Sequence, residues 1–456
     1  MTFGVSSIPR LLQNHMDSIE ERILSVIDQN KNTIIEFGRD IFTHAELGYK
    51  EFRTSKKFAD FLKSLNLDVQ ENLAITGVKG YLKGKSSDVS LALIGELDAL
   101  RIPDHPNVNP ETGAAHSCGH HAQLAGVIGA ALALTDPQVA DSLCGNVIFF
   151  AVPSEEYGEI EFKNQLQKDG KIRYGGGKSE LIRVGAFDDI DLSIAHHSDQ
   201  GGIQVGSGTS NGFVSKVIRY IGREAHAAAE PEKGINAVNA ASLGLSGIAY
   251  QRETFRDQDS VRIHAIITKG GNLVNVVPNE VVLESLVRAK HTEAILDANK
   301  KTDRALIAGA QAVGAGIEIT TMPGYLPRLP EPADPLIVQA AQEAAPDKKV
   351  QKANSAFHGA GSTDVGDLQH IMPVLSFNTG GVAGAPHSNQ YHVTDEEEAY
   401  IITAKIFALS AYKLLKDGAA ASKKIVEDYK PKYTKQEYLN FMESLIQHEK
   451  REIADE

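Results

Sequence analysis

Three apolar runs along the chain have the length and composition of buried β-strands. Residues 89–96 form a continuous apolar segment, and residues 146–152 and 191–197 show a similar pattern. Runs of this kind are typical of strands covered on both faces, as in parallel sheets. The alanine-rich segment 119–134 between the first two runs is long enough for a helix. This alternation predicts an α/β domain with a mixed, mostly parallel sheet.

Amphipathic patterns elsewhere predict helices around this sheet. Residues 18–43 have apolar side chains at helical spacing, and Ser18 with Glu21 forms a plausible capping box. Three further elements complete this part of the chain: a helix over 52–65, a strand over 371–377 and a helix over 395–415. The tail after 418 is rich in Lys and Glu, and we expect a terminal helix there, docked on the surface through Tyr438, Phe441, Met442 and Leu445.

The middle of the chain has a different element order. We predict, in sequence, a strand at 213–222, a helix at 234–251, strands at 261–268 and 280–288, a helix at 292–313 and a strand at 316–323. The order βαββαβ is that of a ferredoxin-like α+β unit. We therefore expect a discontinuous catalytic metal-binding domain over 1–211 and 327–456, interrupted by a satellite domain over 212–326.

Ionisable side chains stand at the ends of the three predicted sheet strands. They are Glu96 and Asp98 after the first, Glu155 and Glu156 after the second, and His196 and His197 on the third. In open α/β sheets, ligands bind outside the carboxyl ends of the strands. The sequence therefore predicts that these acids and imidazoles meet at one edge of the sheet.

The segment HSCGHH carries the densest set of metal-ligand side chains. Cys118 and His120 are close enough to share one metal ion, and a helix N-terminus would favour the thiolate. Of the carboxylates in PSEEYG, one could hold metal while the other acts as general base. His387 lies in a Gly-rich loop after the strand 371–377. Mixed Cys, His and carboxylate ligands suit zinc. Cobalt, manganese or nickel are also possible, depending on the coordination geometry and on which metal is available.

Two other interpretations of these residues stay open at this point. Cys118 could be a nucleophile with His120 or His121 as its base, as in a thiol amidase. The same ligands could instead form a closed structural metal site in a binding protein without catalytic activity. The segments GTSNG and GGGKS resemble catalytic and phosphate-binding motifs only in part, and we predict both to be loops.

Composition narrows the class of protein. The 456 residues include 59 acidic and 46 basic side chains, a formal net charge of −13, which argues against nucleic acid as a partner. Two cysteines, Cys118 and Cys144, exclude a disulfide framework and favour a cytoplasmic location. The longest apolar stretch, residues 125–134, is too short to span a membrane. The N-terminal ten residues show no secretory signal.

Taken together, the motifs resemble a known family, the dinuclear metallopeptidases of the aminoacylase/carboxypeptidase type. The resemblance is to their amidohydrolase branch, which includes indole-acetyl-amino-acid hydrolases and p-aminobenzoyl-glutamate hydrolases. The matching segments, in the family's order, are THAELGYKEFRTS, GELDAL, HSCGHH, PSEEYG, IAHHSD, GREAHAAAEPEKGINA, NVVPNEVVLESLVRA, GSTDVGD and PHSNQYHVTDE. The chain departs from the branch at His121, where Asp or Asn is usual, and at Glu96, where Asp is usual.

The resemblance implies a centre of two divalent metal ions per subunit, zinc, manganese or cobalt. The ligands that it implies are Cys118, His120, Glu156, His197 and His387. Glu155 matches the general base, and Asp98 matches the carboxylate that orients a ligand. The expected reaction is hydrolysis of the amide bond of an N-acyl amino acid or a dipeptide-like small molecule by metal-activated water. A dipeptidase or carboxypeptidase of the same family is the alternative.

The resemblance also implies roles for the satellite domain. His226 matches a histidine that reaches the active site of a neighbouring subunit and stabilises the developing oxyanion. Asn275 and Arg288 match residues that contact the substrate, with Arg288 as a candidate carboxylate clamp. A homodimer formed through the satellite domain is therefore expected.

Overall fold

A computed structural model describes residues 16–454 of the chain. The N-terminal segment in which we predicted no secretory signal lies outside this range. The main sheet has eight strands, and its spatial order is Asp68–Leu73, Gly77–Leu82, Asn146–Val152, Ser90–Glu96, Leu192–Ser198, Val374–Thr379, Gln204–Val205 and Gln351–Lys352.

The four central strands of this sheet are parallel, and antiparallel strands flank them. Every residue of Ser90–Glu96 is buried, as continuous apolar runs in parallel sheets require. The predicted α/β class with a mixed, mostly parallel sheet is therefore confirmed.

Helices cover the sheet through close contacts at small residues. In the helix His120–Leu134, every residue except Leu132 is buried. A Cβ atom on Gly126 would lie only 2.5 Å from the Cγ2 atom of Thr403, so the glycine lets the helix Thr403–Leu415 pack directly against it. This contact fixes the helix that begins at the predicted metal ligand His120.

The second sheet is antiparallel. Its spatial order is Arg262–Lys269, Glu280–Ala289, Gly212–Ile221, Gly316–Pro323 and Gln447–Arg451, and the helices Ala237–Tyr250 and Thr292–Ala312 complete the unit. The first four strands have the ferredoxin-like arrangement that the element order predicted. The fifth belongs to the tail, which contributes a strand as well as helices. The domain boundaries stay a prediction.

Three local predictions were wrong. The helix predicted over 18–43 is two helices, because Asn30 donates its side-chain N–H to the carbonyl of Val26 and ends the first one there. The first helix is capped by Asp17 in a capping box with Glu20, instead of by Ser18 with Glu21. The segments GGGKS and GTSNG are not only loops, because the helix Gly177–Arg183 begins within the first and the short strand Thr209–Ser210 lies within the second.

The remaining elements are short or peripheral. The other helices are Ser18–Gln29, Lys31–Thr43, Phe52–Ser64, Pro137–Ala140, Ile160–Lys168, Pro335–Ala344, Val365–Gln369, Ala420–Asp428 and Lys435–Ser444, with a π-helical turn at Glu397–Ile402. Three two-stranded pairs join Leu100–Arg101 to Ala114–Ala115, Thr209–Ser210 to His358–Gly359, and Val382–Ala383 to His392–Val393. Across residues 16–454, none of the helices has the length and apolarity needed to cross a lipid bilayer.

Candidate metal centre

The carboxyl ends of the central parallel strands meet at one edge of the main sheet. A cleft of about 570 Å³ opens there. Its lining includes seven of the residues that the sequence placed at strand ends and in neighbouring loops: Glu96, Cys118, Glu155, Glu156, His196, His197 and His387. The sheet therefore brings together side chains that are up to 291 positions apart (96 to 387) in the chain.

Asp98 organises the polar loops at this edge. Its carboxylate is fully buried and accepts hydrogen bonds from the backbone N–H groups of Glu155, at 3.1 Å, and Glu156, at 2.8 Å. Its carbonyl oxygen lies 2.8 Å from Nδ1 of His120. A carbonyl can only accept, so Nδ1 carries the proton and Nε2 of His120 is left free to bind a metal ion.

A glycine turn brings the HSCGHH segment into the cleft. Gly119 has φ of +89° and directly precedes the helix His120–Leu134. A side chain at this position would be strained, and its Cβ atom would lie 2.6 Å from Oγ of Ser198. The turn directs Cys118 and His120 toward the strand ends.

Two sets of ligand atoms share the thiol of Cys118. One set contains Cys118, His120 and His197, and the other contains Cys118, Glu156 and His387; within each set the atoms lie within 4.8 Å of one another. The Sγ atom of Cys118 is 3.4 Å from Nε2 of His197, and Nε2 of His387 is 3.3 Å from Oε1 of Glu156. The two sets therefore offer two adjacent candidate metal positions with one shared ligand.

Two buried polar atoms in these sets lack a well-aligned hydrogen bond within residues 16–454. Within residues 16–454, neither Nε2 of His120 nor Oε1 of Glu156 makes a hydrogen bond of good geometry, although they face Oε2 of Glu96 at 3.0 Å and Nε2 of His387 at 3.3 Å. Buried polar atoms are rarely left unsatisfied, and a divalent cation would satisfy both. The thiolate, imidazole and carboxylate donors suit such a cation, so the residues present fit a metal centre.

The two consecutive histidines of the third strand point in opposite directions. His197 faces Cys118, and its Nδ1 lies 2.8 Å from the carbonyl of Ser198. His196 faces the other side of the sheet, where its Nε2 lies 2.7 Å from Oγ1 of Thr379. The alternation of side chains along a strand accounts for the difference. Both residues border the cleft, but of the two rings the one that contacts Cys118 is that of His197.

The surroundings of Cys118 favour its thiolate. Burial and the neighbouring Glu156 carboxylate raise the pKa of the Cys118 thiol. The imidazoles of His197 and His120 lower it by a larger amount, so that the pKa falls from 9.0 to about 6. A thiolate is the form that binds metal, and also the form that attacks as a nucleophile.

Glu155 is a buried carboxylate beside both ligand sets. Its Oε2 atom lies 3.9 Å from Nε2 of His120, and its backbone carbonyl accepts a hydrogen bond from the hydroxyl of Tyr325. Burial, and then repulsion from Glu96 and Glu156, raise the pKa of Glu155 well above its ordinary value. A carboxyl group with a raised pKa is suited to take up and release a proton.

Arg288 reaches the cleft from the second sheet. Its Nη1 donates to Oγ of Ser362 at 3.2 Å, and its guanidinium lies 5.2 Å from the centre of the Phe213 ring. Within residues 16–454, no carboxylate lies within ion-pair distance of its nitrogens. A half-buried cation without a charged partner is a ready site for a substrate carboxylate.

His226 and Asn275 lie away from the cleft, on the exposed surface of the second sheet's unit. The N–H of Ala227 donates to the carbonyl of Asn275 at 3.0 Å, which keeps the two residues near each other. Neither lines the cleft of its own chain. Their predicted roles in a neighbouring subunit stay a prediction.

The sequence left the role of His121 open. Its ring is fully buried and faces away from the ligand sets, 4.7 Å from the Phe42 ring and 5.7 Å from the Tyr400 ring, centre to centre. Sequence reasoning missed Lys178 and Asp364, which lie buried beneath the cleft and contact each other. The only sequence signals for these two residues were the segments GGGKS, which contains Lys178, and GSTDVGD, which contains Asp364. The sequence does not show that the two segments contact each other.

Comparison with known proteins agrees with this geometry. Residues 92–413, more than half of the chain, match the family described as "Peptidase family M20/M25/M40". An N-acetyl-L-cysteine deacetylase of Bacillus subtilis is 28% identical over 404 residues, covering 86% of this chain and 90% of that protein. A mouse Xaa-Arg dipeptidase is 25% identical over 423 residues, covering 88% of this chain and 90% of that protein.

A solved structure shares the fold. It is a dinuclear metal-binding peptidase of the M20 family from Bacillus subtilis, with a TM-score of 0.59 and 23% identity, covering 85% of this chain and 99% of that one. These matches confirm the family predicted from the motifs and, with it, an enzyme that hydrolyses amide bonds. The chain belongs to peptidase family M20/M25/M40.

Proposed function

We propose that this chain uses two divalent metal ions to hydrolyse the amide bond of an N-acyl amino acid or a dipeptide-like substrate. The observation that carries the proposal is the pair of ligand sets that share Cys118 beside the buried carboxylate of Glu155. Similar proteins named as a deacetylase of N-acetylcysteine and as a dipeptidase support both substrate classes.

The proposed metal ligands are Cys118, His120, Glu156, His197 and His387, with Cys118 common to both ions. Divalent ions bound there would polarise the amide carbonyl and make water more acidic. Zinc, manganese and cobalt are the candidate metals, and the thiolate and imidazole donors favour zinc. The backbone carbonyl of Asp98 fixes the proton on Nδ1 of His120, so that Nε2 would be available to hold an ion.

Glu155 is the proposed general base. Its carboxylate accepts a proton from the attacking water and then gives that proton to the nitrogen of the leaving amine. Two backbone contacts hold the residue in place: its N–H donates to Asp98, and its carbonyl accepts from Tyr325. The carboxylate can therefore change its protonation state while the backbone stays fixed.

Arg288 and two residues of the neighbouring subunit are the proposed substrate contacts. Arg288 binds the carboxylate of the amino acid, since its guanidinium borders the cleft and has no carboxylate within ion-pair distance in the part of the chain that the structure describes. His226 stabilises the oxyanion across the subunit interface, and Asn275 contacts the substrate beside it.

The second sheet supports a homodimer. The strand Arg262–Lys269 is an edge of this sheet and leaves Ile266 and Ile267 about half exposed, at 52% and 53%. On the loop after it, Leu273 and Val274 are more exposed still, beside Asn275. An apolar edge strand favours pairing with a second copy, and that pairing would carry His226 and Asn275 toward the partner's cleft.

Free Cys118 and Cys144 support a cytoplasmic location.

Substitution of Glu155 tests the proposed reaction. Glu155→Gln removes the base but keeps the shape of the side chain, so we expect turnover to fall by about 100-fold or more while bound metal stays unchanged. Glu161→Gln, at an exposed acid in the next helix, is the control and should keep full turnover. Retained turnover in Glu155→Gln would rule out its role as base.

A thiol amidase is the second candidate, because the low pKa of Cys118 and the nearby His197 are also what a nucleophilic cysteine needs. A chelator separates the two mechanisms. Removal of metal should abolish turnover by a metal-dependent enzyme, and addition of zinc, manganese or cobalt should restore it. A thiol amidase would keep its activity in the chelator and lose it to a thiol-alkylating reagent.

A further inference from the structure

Lys178 is a fully buried cation beneath the metal-ligand sets. Its Nζ atom lies 2.6 Å from Oε1 of Glu96 and also contacts the carboxylate of Asp364. Its backbone N–H donates to the other oxygen of Asp364 at 2.9 Å. A buried ammonium is costly unless it is paired, and here two buried carboxylates pair with it.

The glycines before Lys178 allow this position. A Cβ atom on Gly177 would lie 1.6 Å from the carbonyl oxygen of Pro153, and one on Gly175 would lie 2.2 Å from the hydroxyl of Tyr157. Both contacts are with the loop that carries Glu155. The GGGKS segment therefore packs directly against the loop that carries Glu155. Only glycine permits backbones to approach this closely at these two positions.

A third set of ligand atoms lies beside Lys178. Glu96, His120 and Glu155 are all buried and offer ligand atoms within 4.8 Å of one another. Oε2 of Glu96 is 3.0 Å from Nε2 of His120, so the nitrogen that would bind an ion in the Cys118 set also faces this carboxylate. His120 also belongs to the set with Cys118, and one imidazole nitrogen binds one ion. The two sets therefore compete for His120.

We propose that Lys178 is a positioning residue that decides this competition in favour of Cys118. Its ammonium engages Oε1 of Glu96 and places a fixed positive charge beside the carboxylate set, where it repels a divalent ion. Gln123 donates to Oε2 of Glu96 at 2.8 Å and occupies the second oxygen. His120 is then left to the ion that Cys118 and His197 bind. This inference rests on the metal centre proposed above.

The test uses the full chain loaded with Co²⁺, whose thiolate charge-transfer absorption reports ions bound to Cys118. Lys178→Met removes the charge, and Lys216→Met is the matched control, because Lys216, on the second sheet, is equally buried and pairs with Asp303 of the helix Thr292–Ala312. We expect Lys178→Met to show a weaker thiolate charge-transfer absorption band per bound Co²⁺ ion, because one ion moves from Cys118 to the carboxylates of the third set. Lys216→Met should keep the whole band.

Cys118→Ser in each background supplies an independent readout. In the native and Lys216→Met backgrounds, we expect it to weaken Co²⁺ binding strongly. In the Lys178→Met background, the loss of affinity should be smaller by about 10-fold or more, because the carboxylate set retains an ion. An unchanged band together with an unchanged effect of Cys118→Ser would overturn the role of Lys178.

A double variant covers the case in which Lys178→Met does not fold. Glu96→Gln with Lys178→Met removes the competing carboxylate together with the lysine, so we expect the native band to return. A band that stays weak in this folded variant would overturn the inference. Absence of the band from the native protein would instead overturn the metal centre itself, and the inference with it.

Discussion

The Sγ atom of Cys118 lies 3.4 Å from Nε2 of His197, although 79 positions separate the two residues in the chain. The contact joins a turn at the start of a helix to the third central strand of the main sheet. Because Cys118 also belongs to the set with Glu156 and His387, one thiolate connects the two proposed metal positions.

Loss of this thiolate should affect both metal ions at once. We expect Cys118→Ser to bind less metal at both positions, since serine does not supply a thiolate, and to lose turnover with it. Metal content after equilibrium dialysis, measured by plasma mass spectrometry, checks the result. Cys144→Ser is the control, because Cys144 is in neither ligand set. Full occupancy in Cys118→Ser would contradict the shared ligand.

Loss of Arg288 should weaken the binding only of substrates that carry a free carboxylate. We expect Arg288→Ala to raise KM for an N-acyl amino acid by about 10- to 100-fold, the value of a charge-assisted hydrogen bond. KM for the same substrate with its carboxylate amidated should change little. The exposed Arg262, opposite Arg288 on the neighbouring strand, supplies the control Arg262→Ala. Equal effects on both substrates would argue against a carboxylate clamp.

Mixing of two inactive variants tests the role of His226 across subunits. His226→Ala and Glu155→Gln should each abolish turnover as homodimers. In a mixed dimer, one active site receives an intact Glu155 from its own chain and an intact His226 from the partner, so turnover should partly return. Samples mixed, dissociated and reassociated are compared with each variant alone. No recovery in proven heterodimers would place His226 outside the partner's site.

A buried histidine should make the protein sensitive to acid. His370 stacks on Tyr433 of the tail, with its Nδ1 on the carbonyl of Gly366. Burial lowers the pKa of His370 from 6.5 to about 4. The unfolded chain therefore binds more protons between these values, so the free energy of unfolding falls as the pH is lowered from 6.5 to 4, by up to about 3 kcal/mol.

Denaturant unfolding at several pH values measures this effect. His370→Leu removes the titrating ring, so the slope of unfolding free energy against pH should become shallower in that window. His291→Leu, at an exposed histidine, should keep the native slope. The same slope in His370→Leu as in the native protein would contradict the assignment.

Strand ends and local motifs already contained most of the candidate site. Continuous apolar runs predict the central strands, and the carboxyl ends of such strands meet wherever the sheet is parallel. Asp98, Glu155 and His197 could therefore be expected near one another before any coordinates. The alternation of side chains along a strand predicts that only one of His196 and His197 serves the site, and the structure shows which one faces Cys118.

Contacts between distant segments were decided by the tertiary structure alone. Lys178 lies 186 positions from Asp364 and 82 from Glu96, and no periodicity or spacing connects the three segments. The tail strand Gln447–Arg451 pairs with Gly316–Pro323 for a similar reason.

Local patterns determine which residues become strands, helices and turns, because these depend on spacing over a few residues. The sequence by itself therefore determined the α/β class, the ferredoxin-like order of elements and the candidate ligands at strand ends. Which buried charges neutralise one another depends on how whole elements pack. Only the tertiary structure could decide that Lys178 lies beneath the candidate metal centre, between Glu96 and Asp364.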